Sequence, residues 1–208
     1  MIYLEASEYG TYGLEKTVAA AWIAAASSLI EAHCRRPTLG IAQYVERARL
    51  RPGRNSVRLT YLPLARVAPA TSPIVSARAR YGVPRRGEEE AGELASDVAQ
   101  AFALPGSWAV LDAASFDVFA ETGEIAVASN PLALTYNEVE ITYTAGLARI
   151  PETVKFACAQ IVRNAQATPA LNVRVGNLDR MHLEYFADTL LDPTVRAGLA
   201  PYVAHKMG

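Results

Sequence analysis

The sequence predicts an α+β chain that is mainly helical: one N-terminal helix packed with three C-terminal helices in a bundle, with a long β-rich insertion between them. Two observations carry this expectation. Before residue 39 and after residue 146, apolar residues recur at three- and four-residue steps, the period of one helix face. From Ile41 to Tyr143 the texture is alternation, broken by Pro and Gly. Neither helical flank can bury its apolar face alone. The expected division is therefore 1–39 with 146–208 as the bundle and 40–145 as a β-rich lobe.

The first helix is expected over residues 13–34, with Val18, Trp22, Ala25, Ala26, Leu29, Ile30 and His33 on its apolar face. Thr11 is the candidate N-cap, and Glu15 stands in the first turn, where the helix dipole favours an acid. Arg35 and Arg36 suit its end, and Pro37 stops it. Strands follow where Val57, Leu59 and Tyr61 alternate with polar residues, and over residues 74–81. Residues 116–119 and 125–127 read as a hairpin turned at Gly123, which is free to take positive φ. Val139, Ile141 and Tyr143 alternate with Glu138, Glu140 and Thr142, a half-buried strand. Residues 88–102 read equally as helix, strand or loop.

The helical period returns at Ile150-Pro151-Glu152, where Pro sits at a position whose missing N–H costs nothing. Val154, Ala157, Cys158, Ile161, Val162 and Ala165 form its stripe, and Thr168-Pro169 closes it. Residues 172–177 read as a polar loop. Two more helices are expected over 178–191 and 194–204, split by Asp192-Pro193, with Asp192 as a cap.

With 208 residues, 51% of them hydrophobic and 20% charged, the chain can build a core, which excludes a wholly disordered protein. The apolar run over residues 18–30 is too short for a membrane helix, which needs about 20 residues. No secretory leader is expected, and two cysteines cannot make a disulfide framework, so a reducing cytoplasm is the expected site of synthesis.

Charge is segregated. Residues 35–86 hold twelve arginines and one acid, Glu46, for a charge of +11, and the remainder carries −12. Seventeen of the twenty basic residues are arginine, which the 38 alanines suggest is partly genome composition. Composition does not explain the segregation. Head-to-tail self-association would use it, one subunit's positive edge meeting its neighbour's negative edge. Contact with nucleic-acid backbone is the competing explanation, with Tyr44, Tyr61 and Tyr81 interleaved among the arginines.

Catalytic signatures are missing. His33, His182 and His205 have no metal-binding spacing, and neither Cys34 nor Cys158 belongs to a CxxC pair. No GxGxxG, Walker A or GxSxG pattern occurs, and the glycine-flanked, basic residues 82–87 lack the lysine and hydroxyl of a phosphate loop. His33 and Cys34 adjoin at a helix end, where their side chains diverge by about 100°. No catalytic residue, cofactor or metal is expected.

Three segments carry a resemblance. Residues 14–22 lead to Ala26-Ser27-Ser28-Leu29-Ile30-Glu31-Ala32-His33-Cys34-Arg35-Arg36, a small-residue helix ending in Ile-Glu and a basic pair. Leu62-Pro63-Leu64-Ala65-Arg66-Val67-Ala68-Pro69 precedes Ser72-Pro73-Ile74. Val139-Glu140-Ile141-Thr142-Tyr143-Thr144-Ala145-Gly146 runs into Ile150-Pro151-Glu152-Thr153. In this order, with Leu199-Ala200-Pro201-Tyr202 closing, the chain resembles the head–tail connector proteins of tailed phages, the adaptor or head-completion family.

The resemblance implies a non-enzymatic adaptor: a ring, typically twelvefold, beneath the portal protein in the neck of a virion or a gene-transfer particle. Such a ring extends the channel for genomic DNA, without sequence recognition, and docks a stopper or tail-terminator protein. It implies no membrane. It also points to Tyr202, Val203, His205 and Lys206 as portal contacts. Charge segregation adds an expectation that Arg78, Arg80, Arg85 and Arg86 meet Glu88, Glu89, Glu90 and Glu93, or Glu138 and Glu140, of the adjacent subunit. Another connector component, a stopper or tail terminator, is the alternative, and a DNA-binding module stands behind it.

Overall fold

A computed structural model of the chain describes residues 1–50, 55–82, 106–127, 136–167 and 190–205, with the backbone of 175–178 and 181–184. It divides into two compact units, residues 1–39 with 149–203 and residues 40–148 with 204–208.

In the first unit, the 3-10 helix Ala6–Tyr12 opens on a reciprocal cap between Glu5 and Glu8. Gly13 then turns left-handed at φ 71°. Helix α1 is Ala20–His33, so it begins seven residues later than the sequence suggests, and Thr11 caps nothing. Its buried face is Ile23, Ala26, Ser27 and Ile30, whereas Trp22 is 44% exposed. The run is apolar all round, so its period alone could not fix which side faces inward. The helix ends in a Schellman turn: Arg35 sits at φ 54°, its N–H donating to the Ala32 carbonyl (3.1 Å) and the Arg36 N–H to Glu31 (3.0 Å).

Helix α2, Glu152–Ala167, starts just after Pro151 and buries Val154, Ala157, Cys158, Ile161 and Val162 of the expected stripe, with Ala159 buried as well and Ala165 half-buried. Cys158 packs on α1, its thiol 3.9 Å from the Ser27 hydroxyl, which itself donates to the Ile23 carbonyl at 2.8 Å. Each fully buried Ile or Val on these faces contributes about 1.5–3 kcal/mol. Tyr3 ties the chain's start to this pair, its hydroxyl donating to Glu31 (2.9 Å) and accepting from the Leu39 N–H (2.9 Å). Helix α3 is Pro193–Leu199.

Asp192 caps α3 by accepting the Val195 N–H at 2.8 Å and the Asn164 side-chain amide at 3.2 Å. That backbone amide foremost, with Asn164 adding and burial opposing, holds the Asp192 carboxyl below its ordinary range. Asp192→Ala should cost about 1–2 kcal/mol, and Asp192→Asn only a fraction of that, read from urea unfolding midpoints.

The second unit is two antiparallel sheets. The larger has the order β1-β7-β3-β4, from strands Ala42–Arg49 (β1), Ile74–Arg80 (β3), Ala109–Leu111 (β4) and Glu138–Ala145 (β7). The smaller has the order β2-β6-β5, from Ser56–Arg58 (β2), Asp117–Phe119 (β5) and Glu124–Ala126 (β6), with Gly123 at φ 69° in the expected β5–β6 turn. One cluster joins them. Tyr44, Ala77, Val139, Ile141 and Tyr143 of the larger sheet meet Val57, Leu59, Phe116 and Ile125 from the side of the smaller. Glu46, the one acid of the basic stretch, is consumed here, accepting the Tyr143 hydroxyl (2.9 Å) and the Thr60 N–H (3.0 Å).

The mainly helical bundle expected from sequence is not what forms. More described residues lie in strands than in α-helices. The polar loop and second C-terminal helix expected across 172–191 are replaced in part by a hairpin, Val175–Leu178 (β8) and Met181–Glu184 (β9), paired from Val175 opposite Glu184 to Leu178 opposite Met181. Leu178 and Met181 fit a helical step, but Met181 and Leu183 fit a strand step equally, and pairing decides between them. Residues 88–102 lie outside the described residues.

Candidate functional site: an arginine–tryptophan sheet face

Among the described residues, the outer face of the larger sheet gathers four arginines and two glutamates. Strand β7 is central, and its alternation sends Val139, Ile141 and Tyr143 into the core and Glu138 and Glu140 outward. On one side β1 sets Arg47 opposite Glu140 and Arg49 opposite Glu138. On the other, β3 sets Arg78 opposite Glu140 and Arg80 opposite Glu138. Four guanidiniums thus flank two carboxylates.

Glu138 takes most of them. Its Oε2 accepts from Arg80 Nε at 2.6 Å and from Arg47 at 2.7 Å, and Arg49 stands 3.5 Å from Oε1. Arg78 reaches Glu140 at 2.7 Å. Only 7% of the Glu138 side chain is exposed. That burial pushes its carboxyl up, but the Arg80 and Arg47 hydrogen bonds and charges outweigh it and leave it below the ordinary range.

Trp108, just before β4, backs the cluster. The guanidiniums of Arg80, Arg78 and Arg47 lie 4.6, 4.9 and 5.1 Å from its ring centre. Each such contact is worth about 0.5–1 kcal/mol at a partly exposed site. The indole and the carboxylates hold arginine side chains that would otherwise sweep many rotamers.

Arg78 and Arg80 meet Glu140 and Glu138 of their own chain, across neighbouring strands. Strand register decides this, and register is set by pairings 58 and 62 residues apart in sequence. Arg85, Arg86, Glu88, Glu89, Glu90 and Glu93 lie outside the described residues. The tyrosines interleaved with the arginines are used in packing: Tyr44 and Tyr61 stack on each other at 4.1 Å, and Tyr81 leans on Tyr136 at 5.1 Å. The Arg47-Ala48-Arg49 alternation is a visible signal of a charged strand face, whereas nothing local in the sequence marks Trp108.

Of the residues expected at a portal contact, Tyr202 lies in the 3-10 helix Ala200–Tyr202, its hydroxyl 3.1 Å from that of Thr153. Val203 is half-buried and His205 exposed, and Lys206 lies outside the described residues. Thr153 also borders an apolar groove of about 400 Å³ between α2 and α3, with Phe156, 46% exposed, on its wall. Cys34 is fully buried, and burial pushes its thiol up to about 11 against the opposing charge of Arg36, so at neutral pH it is a packed thiol and not a nucleophile.

Among the described residues, no group of three or more His, Cys, Asp or Glu could hold a metal ion, and no helix is long and apolar enough to cross a membrane. No protein-family model matches the chain, and no curated protein is significantly similar to it.

Proposed function

We propose that the chain is a non-enzymatic adaptor of a tailed phage or phage-like particle. It forms a ring, twelvefold, beneath the portal, extends the DNA channel in the particle's neck and docks the stopper or tail. The observation that supports this reading is the junction of β7, Gly146, Pro151 and α2. The most specific motif of the resemblance is there a strand end, a positive-φ glycine and a proline-started helix in immediate succession.

Ring contacts must then come mostly from surfaces other than the paired Arg78, Arg80, Glu138 and Glu140. Exposed Trp22 and Phe156 on the helical unit and Phe119 on the β unit are the apolar candidates, and apolar burial supplies most of such association. The test is to mix the full chain with the portal of the same particle and image the product. A ring seated on the portal is expected, and Tyr202→Ala with His205→Ala should weaken that binding at least about tenfold, or about 1.4 kcal/mol. Unchanged binding removes the C-terminal assignment. A lone monomer in mature particles removes the adaptor.

A further inference from the structure

Among the described residues, the outer sheet face sets Arg47, Arg49, Arg78 and Arg80 around Glu138 and Glu140. Arg47 and Arg78 leave 47% and 48% of their side chains exposed while remaining ion-paired and stacked. Their neighbours Val45 and Val110 are 63% and 85% exposed, so the face is open. We propose that this face binds the phosphate backbone of duplex DNA. The inference rests on the adaptor reading only for where such DNA comes from.

Three features select this partner. The guanidiniums are held by Trp108 and the carboxylates before any ligand arrives, so binding costs little side-chain entropy. Along a strand, residues i and i+2 are about 7 Å apart on a nearly flat surface, which presents arginine forks in rows to a chain of phosphates. The Trp108 ring already carries three guanidiniums and is not on offer for stacking a base, which favours sequence-independent backbone contact over single-strand recognition. A protein partner would want an apolar anchor, and the exposed large apolar residues of these strands are the valines Val45, Val75 and Val110.

The test is fluorescence anisotropy of a labelled duplex with the full chain, between about 50 and 200 mM salt. Arg47→Gln with Arg78→Gln should weaken binding about tenfold at low salt and reduce the slope of log affinity against log salt by about 1.8, two phosphate contacts' worth. Arg58→Gln with Arg66→Gln removes the same charge from exposed positions off this face and should change little. Circular dichroism melts confirm that both variants fold. No binding by the unaltered chain at low salt overturns the proposal, as does equal loss in the two double variants. Polyglutamate competing as well as DNA per unit charge would overturn it in favour of an acidic protein partner. Portal binding is read separately: its loss with DNA binding intact removes the adaptor reading alone, and the reverse removes this one alone.

Discussion

Gly146→Ala is expected to cost at least about 3 kcal/mol and to leave the β unit largely unfolded. Gly146 sits at φ 129°, a conformation that L side chains rarely adopt. A methyl group there would run into the Gly40 carbonyl oxygen and stand 2.5 Å from its carbon and 2.8 Å from the Ile41 Cα. These are backbone atoms, and no rotamer can move them aside. The approach is close because Gly40 pairs with Leu147, closing the unit where the chain enters and leaves it, while the Gly146 N–H donates to the Pro63 carbonyl at 2.9 Å. Gly198→Ala is the contrast: its Cβ would meet nothing within 4 Å, and in α3 the change should stabilise by up to about 1 kcal/mol. Urea midpoints decide. Equal behaviour of the two variants would mean that the backbones do not approach as described.

That glycine shows how far the sequence could be read. Motifs acting within a few residues were legible: Pro151 starting α2, Asp192 capping α3, Gly123 turning β5 into β6, and the alternation of β7. Signals that need a distant partner were not. The phase of α1 is fixed by Cys158 and by Tyr3, whose amide donates to Ser27 at 3.2 Å, and the apolar run itself allowed either Trp22 or Ile23 to face inward. The β8–β9 hairpin overrode a spacing that a helix could also have used. At the sheet face, the charge segregation was visible, but which acid each arginine meets was not. Pairing follows register, register follows the buried alternation of β7 against β1 and β3, and those strands come from three separate parts of the chain.

Glu138→Gln should therefore be the most damaging single change on that face, at about 2–3 kcal/mol near neutral pH. Its carboxylate is the shared ion-pair partner of Arg47, Arg49 and Arg80, and an amide keeps one oxygen but loses the charge that offsets their mutual repulsion. Arg47 can turn to water, which limits the cost, but Arg80 is only 19% exposed and cannot. Glu140→Gln is the control: Glu140 is 23% exposed and its ion pair among the described residues is with Arg78, so about 1 kcal/mol or less is expected. The pH dependence has a definite sign. Because the folded-state carboxyl of Glu138 lies below its ordinary value of 4.5, its contribution is fully present above that value and is lost as pH falls through the lower, folded-state value. The unaltered protein should lose stability across that acid window, and Glu138→Gln should lose less of it because the titrating group is gone. Parallel urea midpoints for the two proteins from neutral pH down to about pH 3 would mean that the arginines do not depend on this carboxylate, and the preorganised face would lose its basis.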